Sequence, residues 1–183
     1  MHNYQFHSVN LIQYDLSSQF THKSFYHSPK FEKITLNFGI KEINFKALVL
    51  VMSTLEAIAS QKPIPTKSTK SNIFLKIRKG APVGCKLTLR KSNMFTFFSK
   101  LVLLILPKIK LFEGVSVKRK IQQENSFSFS LYDLLTFPEL EIQYELFQNI
   151  PKLDISILTQ KIRFQESQVL LTGSRIILQP LGI

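Results

Sequence analysis

The chain has 183 residues, 44% of them hydrophobic, enough to bury the core of one domain. Six glycines and eight prolines exclude a collagen-like or low-complexity chain, and a lone cysteine, Cys85, excludes a disulfide framework and a cysteine-based zinc site. The net charge of +12 and a pI near 9.9 bear on partners rather than fold: nucleic acid, an anionic membrane surface or an acidic protein.

Residues 1–30 are polar, with a short helix expected from Leu11 to Phe20. All four histidines (His2, His7, His22, His27) fall here, at spacings that match no metal template, and are read as surface residues. Lys33–Asn37 alternates strictly, so a half-buried strand is expected with Ile34 and Leu36 inward and Lys33, Thr35 and Asn37 outward. Glu42–Ser60 carries Ala47, Leu48, Val51, Leu55, Ile58 and Ala59 at helical spacing. Gln61–Asn72, with two prolines and three lysines and no period, reads as a loop or extended arm.

Phe74–Arg78 alternates again, which predicts a strand with Leu75 and Ile77 opposite Lys76 and Arg78. Lys79–Gly84 is a turn, and Leu87–Arg90 another strand, with Thr88 and Arg90 on its polar side. Cys85, between Gly84 and Lys86, is expected to be a small buried hydrophobe. Ser92 is the expected N-cap of a buried helix, Asn93–Leu106, ended by Pro107. Its apolar run is too short for a membrane span. Phe127–Leu131 and Leu153–Thr159 are the last strands, followed by a helix around Glu166–Thr172.

These elements predict an α+β fold, an antiparallel sheet with helices on one face, in a single domain covering residues 1–183. The other face would stay open to water. It would carry Lys33, Thr35, Asn37, Lys76, Arg78, Thr88 and Arg90. The charge follows the same geography. Between residues 60 and 120 stand 15 Lys and Arg against one acid, Glu113, whereas the flanking segments are nearly neutral or acidic. Scattered lysines make a solvated surface; a block this one-sided points to nucleic acid.

No catalytic pattern appears: no phosphate-binding glycine loop, no metalloprotease or redox motif, no nucleophile elbow. Glu139 and Glu141 read as solvated acids. No cofactor or metal is expected. The start of the chain lacks the cationic and apolar regions of a signal peptide. Lys outnumbers Arg 19 to 5 and Phe reaches 16, a bias of AT-rich codons that suggests an organelle or reduced genome.

Several strings are similar to one family. KITLNFG (Lys33–Gly39), LEAIASQKPIPTKSTKSN (Leu55–Asn72), FLKIRKGAPVGCKLTLR (Phe74–Arg90) and MFTFFSKLVLLILPKIKLFEGV (Met94–Val115) resemble bacterial-type large-subunit ribosomal protein L-five in spacing as well as residue type. FPELE (Phe137–Glu141) and LDISILT (Leu153–Thr159) extend the resemblance, which covers roughly residues 11–172. It implies a structural protein of the large ribosomal subunit that binds 5S rRNA in the central protuberance and is not an enzyme. The rRNA contacts it implies are Lys33, Thr35, Asn37, Gln61, Lys62, Thr88 and Arg90. The loop it places near P-site tRNA holds Thr66, Lys67, Lys70, Lys76, Arg78, Lys79 and Gly80. Further implied partners are large-subunit rRNA, a neighbouring 5S-binding protein and a small-subunit head protein at an intersubunit bridge; no membrane is implied.

The departures from the family pattern are specific. Ser60 stands where the family has Gly, Thr69 replaces an Arg, and Ile121–Ser128 lacks the family's glycines and Arg. The tail from Gly173 matches poorly. This drift, with the lysine bias, leads to the expectation of a mitochondrial ribosome, with a plastid or an AT-rich bacterium as alternatives.

Overall fold

The computed structural model describes residues 12–20, 29–40, 44–109, 126–148, 150–160 and 164–176. The histidines, the 121–125 part of the diverged loop and the tail from 177 lie outside the described residues. In chain order the elements are α1 (Ile12–Gln19), β1 (Phe31–Gly39), α2 (Phe45–Ala59), β2 (Ile64–Lys67), β3 (Pro82–Leu89), α3 (Lys91–Lys100), β4 (Ser126–Leu131), α4 (Pro138–Glu141), α5 (Tyr144–Phe147), β5 (Leu153–Thr159) and α6 (Phe164–Gly173). The strands form one open antiparallel sheet in the order β2-β3-β1-β5-β4, an α+β fold as expected. Contacts divide the chain into two compact units. One draws on segments 1–34, 90–129 and 156–183, the other on 35–89 and 130–155.

The second unit is built on period-two burial. Leu36 and Phe38 on β1, Cys85, Leu87 and Leu89 on β3, and Leu153 and Ile155 on β5 are all buried. Thr35, Asn37 and Thr88 alternate with them and remain half-buried. α2 packs on β3 through the helical stripe Leu48, Val51, Leu55 and Ile58, and α4 and α5 pack on α2. Each such side chain taken from water contributes about 1.5–3 kcal/mol. Thr54, fully buried in the stripe, donates its hydroxyl to the Leu50 carbonyl at 2.8 Å. Asn44 caps α2 by accepting from the Lys46 N–H, so the helix starts later than Glu42. It ends at Ser60, which adopts the left-handed conformation (φ 54°, ψ 30°).

In the first unit, α1 packs on α6 through Ile12, Leu16 and Leu170. Phe31 of β1 meets Phe98 of α3, ring centroids 4.9 Å apart. α3 buries Met94, Phe97 and Phe98, and the same stripe continues through Leu101, Val102 and Ile105. Ser92 is not the cap: α3 follows directly on extended Arg90, and no side chain caps it. Pro107 does not end the helical path either. The chain passes through a π-helical turn (Leu101–Ile105) into a 3-10 turn (Leu106–Lys108), where Pro107 stands in the first turn and its missing N–H costs nothing. None of the described helices is long and apolar enough to cross a membrane.

Two expectations in the second unit need correction. Gln61–Asn72 is not all loop: Ile64–Lys67 is β2, the edge strand. An edge strand tolerates Pro65, because one side of its backbone needs no partner. Phe74–Arg78 is not a strand. Residues 73–76 form a turn and Arg78 follows it, so Lys76 and Arg78 leave the sheet.

Candidate nucleic-acid interface

The β2–β3 hairpin organises the basic middle of the chain. Its antiparallel register pairs Ile64 with Lys86, Pro65 with Cys85, Thr66 with Gly84 and Lys67 with Pro82, with an irregularity between Thr66 and Lys67. Past the strands the two legs stay tied as an arm. Ser68 donates its N–H to the Ala81 carbonyl, and Gly80 donates to the Ser68 carbonyl, both at 2.9 Å. Gly80 takes φ 85°, a conformation that glycine adopts without a Cβ penalty. At the tip, Asn72 and Ile77 exchange two N–H···O bonds of 2.9 Å. Lys76 donates to the Ile73 carbonyl at 3.1 Å, and the Asn72 Oδ1 accepts from the Leu75 N–H at 3.4 Å. Lys76 itself turns the chain at φ 53°.

Lys67, Lys70, Lys76, Arg78 and Lys79 are all exposed along this arm. None makes an ion pair with a described residue, and no acid occurs in sequence between Glu56 and Glu113. The arm is therefore a projecting strip of uncompensated positive charge, the form of surface that neutralises phosphates.

At the base of the arm, Gln61, Lys62, Thr66 and Thr88 meet around a depression of about 270 Å³, also lined by Ile64, Lys86 and Leu87. The Gln61 Nε2 donates to the Thr88 carbonyl at 3.3 Å, which fixes the amide and leaves its Oε1 as an acceptor. Thr66, expected with the tip of the arm, belongs here instead. Lys86 was missed by sequence reasoning. It is exposed two residues before Thr88 on β3, and the alternation CKLTL carried the signal.

Thr35 and Asn37 occupy the half-buried positions of β1 in this unit. In the other unit Lys33 holds the same alternation on its part of β1 and is half-buried. There the Arg90 guanidinium lies 3.9 Å from the Glu32 carboxylate, with side chains 56% and 42% exposed.

The chemistry available is cation, hydroxyl and amide. Cys85 is fully buried, and burial pushes its thiol up to about 12, out of reach of nucleophilic chemistry. No group of three or more His, Cys, Asp or Glu among the described residues is placed to hold a metal. Such a donor set contacts phosphate, ribose and base edges without cleaving them.

A family model for the C-terminus of the ribosomal uL5 (L-five) family matches residues 82–177. The chain is 38% identical over 172 residues to the large ribosomal subunit protein uL5m of Reclinomonas americana, covering 93% of this chain and 94% of that one. It is 36% identical over 166 residues to the large ribosomal subunit protein uL5 of Blochmanniella floridana, covering 90% and 86%. With the uL5 of Wigglesworthia glossinidia brevipalpis it shares 37% over 175 residues, covering 94% and 96%.

Proposed function

The chain belongs to the ribosomal uL5 family, and from that premise we propose that it is a structural constituent of a large ribosomal subunit that binds 5S rRNA and reaches P-site tRNA. It is a ribosomal component, not an enzyme. The observation that carries the finer reading is the gathering of Gln61, Lys62, Thr66 and Thr88 around one depression at the base of a basic arm. Lys33, Thr35, Asn37 and Arg90 complete the proposed rRNA contacts, and Lys86 joins them. Cations supply affinity, and the amide and hydroxyls set register against ribose and base edges. The arm carrying Lys67, Lys70, Lys76, Arg78 and Lys79 is the proposed tRNA contact. Its length and uncompensated charge suit an RNA surface reached across a gap.

The proposed setting is the central protuberance, beside large-subunit rRNA, a second 5S-binding protein and, across the subunit boundary, a protein of the small-subunit head. A mitochondrial ribosome is the favoured location, supported by the lysine and phenylalanine bias and by the uL5m relative. The bacterial relatives at similar identity keep an AT-rich bacterium as the second reading.

Purification of the protein from its native source in low salt, with sequencing of the RNA that follows it, tests this. A 5S-like RNA together with large-subunit rRNA is expected. Large-subunit rRNA alone would remove 5S binding and keep the ribosomal role. A complex containing no rRNA would leave a free RNA-binding factor of the same fold as the better reading.

A further inference from the structure

The tip of the basic arm exposes three consecutive apolar side chains. Ile73 is 90% exposed, Phe74 98% and Leu75 61%. The turn that carries them is held by the reciprocal Asn72–Ile77 bonds, the Lys76–Ile73 bond and the Asn72 side chain. The side chains therefore stand outward on a fixed backbone, and none of the described residues covers Phe74. Cations flank the tip on both sides: Lys70 before it, and Lys76, Arg78 and Lys79 after it.

A basic strip with one exposed ring at its apex matches the make-up of nucleic-acid platforms. There, cations follow phosphates while an aromatic ring takes the π face of a base. The apolar patch is too small for a stable protein interface, which needs a buried core of many residues. We propose that Phe74 stacks on an exposed base face of the bound tRNA, with Ile73 and Leu75 packed at its edges and the flanking cations on the adjoining phosphates. The proposal rests on the reading of the arm as a tRNA contact. It adds a contact that salt screens little, in place of a purely electrostatic touch.

The chain contains no tryptophan, so Phe74→Trp in the full-length protein introduces a single fluorescent reporter at the tip. The probe is an unmodified tRNA transcript, titrated at low salt. Binding within about twofold of the unsubstituted protein is expected, with quenching of the Trp emission at saturation. Phe74→Ala is expected to weaken binding by about 10-fold, as loss of one base–aromatic stack does. With a side chain this exposed, that substitution has no core to disturb. If the tRNA binds while the Trp emission stays unchanged, or if Phe74→Ala binds within twofold of the parent, stacking is overturned and the electrostatic tRNA contact stands. If the unsubstituted chain does not bind the transcript, the tRNA reading falls and the stacking proposal with it. A Trp blue shift on phosphatidylglycerol vesicles with no response to tRNA would also overturn it, in favour of an anionic membrane surface.

Discussion

The Arg90 guanidinium and the Glu32 carboxylate stand 3.9 Å apart, both largely in solvent. An exposed pair at that distance contributes little to stability. It matters for binding instead, because Glu32 offsets the charge of a proposed RNA contact. Arg90→Ala should weaken binding to 5S rRNA by about 1–3 kcal/mol if the guanidinium meets a base or a buried phosphate. Glu32→Gln should tighten binding, since it frees the cation and removes an anion from the approach. Filter binding at two salt concentrations checks both. Equal affinity for Arg90→Ala and the parent would take Arg90 out of the interface.

Gly84 permits the close approach of β3 to β1. A Cβ added there would lie 2.1 Å from the Phe38 carbonyl oxygen and 3.2 Å from the Thr66 Oγ1. The nearest atom is backbone, so relief requires the strands to part rather than a side chain to turn. Gly84→Ala should destabilise the protein by about 1–3 kcal/mol, the range of overpacking. The urea midpoint reads this directly, and an unchanged midpoint would mean that the strands yield without cost.

Ser60 closes α2 with φ 54°, at the position where the family pattern has glycine. A Cβ is strained in that conformation, whereas glycine is not. Ser60→Gly should raise stability by about 0.5–1 kcal/mol, the relief of strain exceeding the added entropy of the unfolded chain. Thermal unfolding of the two proteins side by side would show a higher midpoint for the glycine variant.

Burial lifts the Cys85 thiol from its ordinary 9.0 to about 12. The folded protein therefore holds this proton where the unfolded chain has lost it. The associated stability is fully present below about pH 9 and is lost as pH rises toward about 12. Urea unfolding at pH 7 and pH 10 should show a fall that Cys85→Ala lessens. At pH 8 the thiol should resist iodoacetamide in the folded protein and react once urea unfolds it. Rapid alkylation of the native chain would contradict its burial.

Much of this molecule is written in local periodicity. The alternation of β1 and β5 announced which side chains are buried, because a strand's two faces follow from the geometry of each residue alone. The spacing of Leu48, Val51, Leu55 and Ile58 did the same for α2, and Gln61, Lys62 and Thr88 were legible through their resemblance to a family. The arm was not. FLKIR alternates as a strand does, yet its central residues turn, because Asn72 and Ile77 bond to each other and Lys76 takes a left-handed φ. β2 looked structureless because Pro63 and Pro65 obscure any pattern. It is a strand because β3 lies beside it. The sequence by itself determined composition, charge, the buried faces and the family. Only the tertiary structure decided that Thr66 and Lys86 sit with Gln61 and Thr88, and that Ile73, Phe74 and Leu75 point to solvent. Those placements depend on hydrogen bonds between residues distant in the chain, which no local pattern encodes.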